Sequence, residues 1–148
     1  MADIALITGT QSIPDSVIAR WHARLPVSDD ERLRLIAHPG RRREFIVARS
    51  LLQVLSHCVT GEYGGVSYTD AGKPQWLTHS HQPLACTISH SHGAVLVGLN
   101  NNGAIGVDIE TPRDRQNQRL VSRYFDEAAA KTYAAKSASE KTEFFYRY

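Results

Sequence analysis

The chain lacks most of what would put it in a special class. Of its 148 residues only two are cysteine. Cys58 and Cys86 stand in apolar surroundings without metal-type spacing, so they read as buried, reduced thiols of a cytoplasmic protein rather than a disulfide pair or zinc ligands. No apolar run approaches membrane-spanning length. The start, Met1-Ala2-Asp3-Ile4, has neither the basic opening nor the apolar core of a signal peptide. A membrane partner is therefore not expected. An excess of charge of one sign is also missing: the formal net charge is +2, too small to argue for nucleic acid. There is no low-complexity segment, no internal repeat and no G-x-S-x-G elbow around any serine.

What is present suits a globular domain. An apolar fraction of 42% and a charged fraction of 22% allow a real core and give no sign of disorder. Ile4 to Ile7 reads as a first strand. Pro14 opens a helix through Asp15–Trp21. A second helix is expected from Ser28, where Ser28 and Glu31 have capping-box spacing, to about His38 before Pro39-Gly40. A third, Arg41 to Cys58, aligns Phe45, Ala48, Leu51, Leu52, Leu55 and Cys58 on one face, and Thr60-Gly61 stops it. After a turn-rich stretch, Leu84–Ile88, Ala94–Leu99 and Ala104–Ile109 read as three strands of an antiparallel meander, with Ser91-His92-Gly93 and Asn100–Gly103 as its turns. In such a meander the first and third strands run the same way, so His90 and Asp108 would emerge at one edge of the sheet. Two further helices are expected beyond Pro112. Asp126 caps one, and the Ser137/Glu140 capping box opens the other, which carries Phe144, Phe145 and Tyr148.

Several side chains on this scaffold could carry chemistry. Asp108 and Glu110 are two apart on the third expected strand and so share a face. Paired carboxylates invite a cation, and hard oxygen ligands suit Mg²⁺ completed by water and phosphate oxygens; a solvated pair at a strand end is the plainer reading. Ser89-His90-Ser91 offers hydroxyls on one face and an imidazole on the other, fit to contact phosphate oxygens or simply to form a polar turn. His79, His81, His90 and His92 match no familiar zinc pattern and read as surface histidines. Arg41-Arg42-Arg43 concentrates positive charge at a helix N-terminus, where a bound anion would relieve the unfavourable dipole; a solvated face or a nucleic-acid contact is the commoner use of such a run. Lys73, in Gly72-Lys73-Pro74, sits on a rigid turn, either beside a phosphate or exposed on a hairpin.

In this order, Arg41-Arg42-Arg43-Glu44-Phe45, Gly72-Lys73-Pro74, Ile88-Ser89-His90-Ser91, Gly106-Val107-Asp108-Ile109-Glu110 and Lys141-Thr142-Glu143-Phe144-Phe145 resemble the 4′-phosphopantetheinyl transferases of the Sfp type. The resemblance implies an α+β fold of two similar halves, an antiparallel sheet with packed helices in each. Residues 1–103 would form the first half and 104–148 the opening of the second. It also implies Mg²⁺-dependent transfer of phosphopantetheine from coenzyme A to a serine of an acyl or peptidyl carrier protein, with release of 3′,5′-ADP. Asp108 and Glu110 would then hold the metal. Lys73, Ser89 and His90 would contact coenzyme A phosphates, His90 counting with the two carboxylates as catalytic, and Thr87 would line the nucleotide site. Arg32 would stand near the 3′-phosphate, with Arg43 as a helper.

Two departures from the family pattern matter. Ala48 replaces a glycine more usual in the basic helix. The W-x-x-K-E-x-x-x-K segment, source of a third metal carboxylate and a lysine, would begin where the chain ends at Tyr148. The expectation is therefore a full-length transferase of which these 148 residues are inactive or weak alone. The alternative is a non-catalytic module that binds coenzyme A or a carrier protein. A homodimer built on an exposed apolar face would be one way to complete such a fold.

Overall fold

A computed structural model describes residues 2–111 and 118–147. The chain packs as two compact units, Met1–Glu110 and Thr111–Tyr148, and the fold class is α+β. Among the described residues, no helix is long and apolar enough to cross a membrane.

The first unit runs β1 (Ala2–Ile7), a 3-10 turn (Thr10–Ser12), α1 (Asp15–His22), α2 (Val27–Arg34), α3 (Pro39–Thr60), β2 (Gly64–Tyr68), β3 (Pro74–Thr78), β4 (Pro83–Ser91) and β5 (Ala94–Asn100). The five strands form one antiparallel sheet in the order β1-β5-β4-β3-β2. Strands β2 to β5 make a meander, and β1 returns to the outer edge of β5. The β4–β5 turn needs positive φ at two successive residues. His92 at 48° and Gly93 at 81° supply it, the backbone of a type I′ hairpin.

Helix α3 covers one face of the sheet. Val47 and Leu52 from the helix meet Trp76, Leu84, Val95, Val97 and Leu99 from the strands, all without significant exposure. Each such side chain contributes about 1.5–3 kcal/mol by leaving water. Polar groups inside this layer are paired. Trp76 Nε1 donates to Ser56 Oγ at 2.8 Å, and Ser56 Oγ donates to the Glu62 carbonyl at 2.8 Å. Arg49 Nε donates to Asp29 Oδ1 at 2.8 Å, with side-chain exposures of 5% and 4%.

Several expectations need correction here. Ala104–Ile109 is not a strand of the sheet. The outer edge of β5, where a third meander strand would pair, is already bonded to β1 from Ala2↔Asn100 to Ile7↔Val95. Strands β2 and β3 were not expected in the turn-rich stretch. Helix α2 starts at Val27 behind Pro26 and does not use the Ser28/Glu31 box. Pro39 opens α3 rather than ending α2, because its missing N–H costs nothing in a first helical turn. The buried stripe of α3 includes Glu44, Arg49 and Ser56. Cys86 is buried, but Cys58 is exposed.

In the second unit the described residues hold α4 (Gln118–Tyr124), α5 (Glu127–Ala134) and α6 (Ala138–Arg147), three helices where two were expected. Asp126 caps α5 as expected, its Oδ1 accepting from the Ala129 N–H at 2.8 Å. The Ser137/Glu140 pair also forms, with Glu140 Oε2 accepting from the Ser137 N–H at 2.9 Å and from its Oγ at 2.5 Å. These bonds hold the Glu140 carboxyl below its ordinary range. Phe125 stacks on Phe145 with ring centroids 5.9 Å apart.

Candidate functional site

The site grows from the C-terminal half of β4. Alternation along the strand sends Leu84, Cys86 and Ile88 into the core beneath α3 and turns Thr87 and Ser89 to the open face. Residues 105–109 lie across that face. Gly98, opposite Thr87 in β5, makes room for them: a Cβ there would stand 2.8 Å from Ile105 Cδ1 and 3.3 Å from Val107 Cγ1. In place of a backbone ladder, two hydroxyls dock the segment. The Val107 N–H donates to Thr87 Oγ1 at 3.3 Å, and the Ile109 N–H donates to Ser89 Oγ at 3.1 Å. Ser89 Oγ in turn donates to Asp108 Oδ1 at 2.8 Å.

This docking keeps a strand-like alternation without a strand's pairing. Ile105, Val107 and Ile109 are half-buried, whereas Gly106, Asp108 and Glu110 are exposed. Asp108 and Glu110 are thus both exposed although the expected strand is absent. Asp108 Oδ1 takes both Ser89 Oγ and the Ile109 N–H, and no bond among the described residues uses Oδ2. Glu110 has no hydrogen bond or ion pair there either.

His90 points the other way, toward α3. Its Nδ1 lies 2.5 Å from Arg41 Nη1 and 3.3 Å from Glu44 Oε2, and Glu44 Oε1 accepts from the Gly93 N–H at 2.8 Å. An arginine can only donate and a carboxylate can only accept, so the same Nδ1 faces a donor in Arg41 and an acceptor in Glu44. His90 and Asp108 are thus on opposite faces of β4, not side by side as a parallel first and third strand would leave them.

The two faces nevertheless communicate at one place. Strand β4 pairs with β5 from Ala85 to Ser91, but with β3 only from Pro83 to Ala85. Among the described strands, the Cys86–Ser91 stretch has no neighbour on its β3 side. The result is a notch with unpaired backbone groups, Ser89 on one face and His90 on the other. Lys73 directly precedes Pro74, the first residue of β3, and so stands where β3 stops. Its backbone is tied to Thr69, whose N–H donates to the Lys73 carbonyl at 2.9 Å while its Oγ1 accepts the Lys73 N–H at 3.1 Å.

The other basic residues are committed elsewhere. Arg43 is turned into the fold: Nε donates to the Thr10 carbonyl at 2.8 Å, Nη1 to Asp15 Oδ1 at 2.6 Å, and Nη2 to the Ile13 carbonyl. Arg42 donates to the Leu33 carbonyl at 2.7 Å and caps the end of α2. Arg32 stacks on Tyr68, 4.0 Å from the ring centroid, and donates to its hydroxyl; it belongs to the β2 edge. Neither Arg32 nor Arg43 shares a contact with Ser89, His90 or Asp108.

Sequence reading missed Glu44 and the contact of Arg41 with His90. A signal was available. Glu44 lies one turn before Ala48 on the buried stripe of α3, and a carboxylate on a buried stripe needs partners. Arg41 is its i−3 neighbour, with Nη1 3.8 Å from Glu44 Oε2.

Among the described residues no group of three or more His, Cys, Asp or Glu side chains could hold a metal ion. Mg²⁺ asks for less, one or two carboxylates with the remaining positions filled by water and substrate oxygens. Asp108 through Oδ2, with Glu110 on the same exposed side, fits that donor set. Comparison with protein-family models and with curated proteins finds no match to this chain.

Proposed function

We propose that the chain binds coenzyme A across the β4 notch, with Mg²⁺ on Asp108 and Glu110, as the coenzyme A site of a 4′-phosphopantetheinyl transferase. The observation that carries this reading is the Ser89–Asp108 bond beside an unpaired stretch of β4. It sets an oriented carboxylate on one face of β4 next to unpaired strand backbone, with the His90/Arg41 pair on the other face and the Lys73 turn at the start of β3. Mg²⁺ held by the two carboxylates would neutralise pyrophosphate charge and ease attack by a carrier-protein serine at the phosphorus nearer the pantetheine.

The chain's own residues have separable tasks in this reading. Ser89 fixes Asp108 so that Oδ2 faces outward. His90 offers its imidazole, and Arg41 the rest of its guanidinium, to a phosphate oxygen. Lys73 adds a cation that no protein carboxylate neutralises among the described residues. These groups lie on both faces of one strand, which suits a pyrophosphate carrying a further phosphate on its nucleoside better than a simple anion.

The test is calorimetric titration of coenzyme A with and without Mg²⁺, on the native chain and on Asp108→Asn. Saturable binding that needs Mg²⁺ and is lost in the variant is expected. Equal binding without the metal would remove the carboxylate assignment. Mass spectrometry of an apo carrier protein incubated with the chain, coenzyme A and Mg²⁺ then separates two outcomes. A gain of one phosphopantetheine means a transferase, and binding without that gain means a coenzyme A-binding module.

A further inference from the structure

Away from the notch, the first unit holds a groove of about 750 Å³. It is lined from Ile7 at the end of β1, through Trp21 and Leu25 around the end of α1 and Leu51 and Val54 on α3, to Tyr63 just before β2. None of Thr87, Ser89, His90, Asp108 or Glu110 lines it. The volume lies within the range of small-molecule sites, which are mostly apolar with a few placed polar groups.

The walls show what the groove would take. Ile7, Leu25, Leu51 and Val54 are aliphatic, and Trp21 and Tyr63 add two ring faces. Gln53 and Gly64 also line it, but they bond to each other in both directions, Gln53 Nε2 to the Gly64 carbonyl at 2.6 Å and the Gly64 N–H to Gln53 Oε1 at 3.2 Å. They therefore form a closed polar pair rather than an open handle. Ile7 and Gly64 belong to the two edge strands of a five-stranded sheet, whose edges are separated by on the order of 19 Å before twist and curl. A groove that touches both is long for its volume. This suits an extended chain better than a compact ring system.

Charge picks the head group. Arg24 lines the groove, and among the described residues its side chain has no hydrogen bond, ion pair or aromatic partner. His79, the other ionisable group on the lining that can carry positive charge, has the Glu62 carboxylate as a charge neighbour. Arg24 is therefore the uncommitted cation, and its planar fork matches a carboxylate in two-point contact.

We infer that this groove binds a straight-chain carboxylate, with the alkyl chain along Leu25, Leu51 and Val54 and the head group on Arg24. The inference does not depend on the coenzyme A reading, since the two sites share no residue.

Dodecanoate, titrated below its micelle-forming concentration, is the probe, read by calorimetry and by tryptophan fluorescence. Trp21 lines the groove and is half-buried, whereas Trp76 is sealed in the core, so the spectral change should come from Trp21 and vanish in Trp21→Phe. One saturable site is expected. Arg24→Gln should weaken it roughly ten-fold, the usual consequence of losing a charge-assisted contact. Val54→Glu should abolish it, and because Val54 is 59% exposed that change leaves the core intact. Dodecanol should bind at least several-fold more weakly than dodecanoate. Absence of saturable binding overturns the site. Affinity unchanged in Arg24→Gln, or dodecanol binding as tightly as dodecanoate, overturns the head-group assignment. Circular dichroism of each variant, matching the native spectrum, ties any loss to the groove.

Discussion

Ser89 Oγ donates to Asp108 Oδ1 at 2.8 Å while accepting the Ile109 N–H at 3.1 Å. One hydroxyl therefore does two jobs: it docks the 105–109 segment on the sheet and aims the carboxylate read as a metal ligand. Ser89→Ala removes both bonds. It should cost about 1 kcal/mol of stability and lower Mg²⁺-dependent coenzyme A affinity by several-fold. Ser89→Thr, which keeps the hydroxyl, should recover most of that affinity. Thermal unfolding and calorimetry on both variants check this, and an unchanged affinity in Ser89→Ala would show that Asp108 needs no such support.

The two carboxylates should not be equivalent. Asp108 is held by two bonds and Glu110 by none among the described residues. Glu110→Gln should therefore weaken Mg²⁺ binding less than Asp108→Asn does, because an unpositioned ligand gives back part of its gain as ordering entropy. Titration of Mn²⁺ followed by electron paramagnetic resonance reads both variants directly. A larger loss from Glu110→Gln would reverse the ranking.

Glu44 places a carboxylate oxygen 3.3 Å from His90 Nδ1 and 3.8 Å from Arg41 Nη1, where it opposes an incoming phosphate. Glu44→Gln retains an acceptor for the Gly93 N–H and removes the charge. It should tighten coenzyme A binding a few-fold at low ionic strength, with the gain shrinking as salt is raised. Weaker binding at every salt concentration would mean that the carboxylate serves to orient His90.

The Asp29–Arg49 pair joins α2 to α3 inside the protein, with Arg49 also 4.6 Å over the Phe45 ring. Asp29→Ala strands a buried guanidinium and should destabilise the fold by about 3–5 kcal/mol. Exchanging both partners, Asp29→Leu with Arg49→Met, should restore much of the loss. Denaturant unfolding of the three forms gives the comparison; additive effects would argue against a coupled pair.

The two cysteines should react differently. Cys58 is exposed, and burial pushes the Cys86 thiol up to about 11 from 9.0. At pH 8 iodoacetamide should label Cys58 rapidly and leave Cys86 intact in the folded protein. The sign for stability follows from the same shift. A raised thiol pKa leaves stability whole below pH 9, and stability falls as pH climbs toward 11 because the unfolded chain ionises first. Rapid double labelling at pH 8 would contradict the burial.

Much of this was legible along the chain. The Asp126 cap, the Ser137/Glu140 pair, the Gly61 stop of α3 and the His92-Gly93 turn are local, and each depends on residues no more than four apart. The alternation that faces Asp108 and Glu110 outward is equally local. Where reading failed, a non-local competitor had won. Ala104–Ile109 carries a strand pattern, yet β1, about a hundred residues earlier in the chain, occupies the β5 edge that a third meander strand would have joined. Cys58 continues an apolar stripe, but α3 runs on past the apolar surface able to cover it.

The sequence by itself determined the caps, the tight turns, the long helix and the chemistry available along the chain, because those follow from backbone preference and side-chain period. Only the tertiary structure decided which groups meet. It set Arg41 beside His90, hung Asp108 on Ser89, and opened β4 where β3 falls short. Pairing partners and burial are set by competition for edges and core volume across the whole unit, which no local window contains.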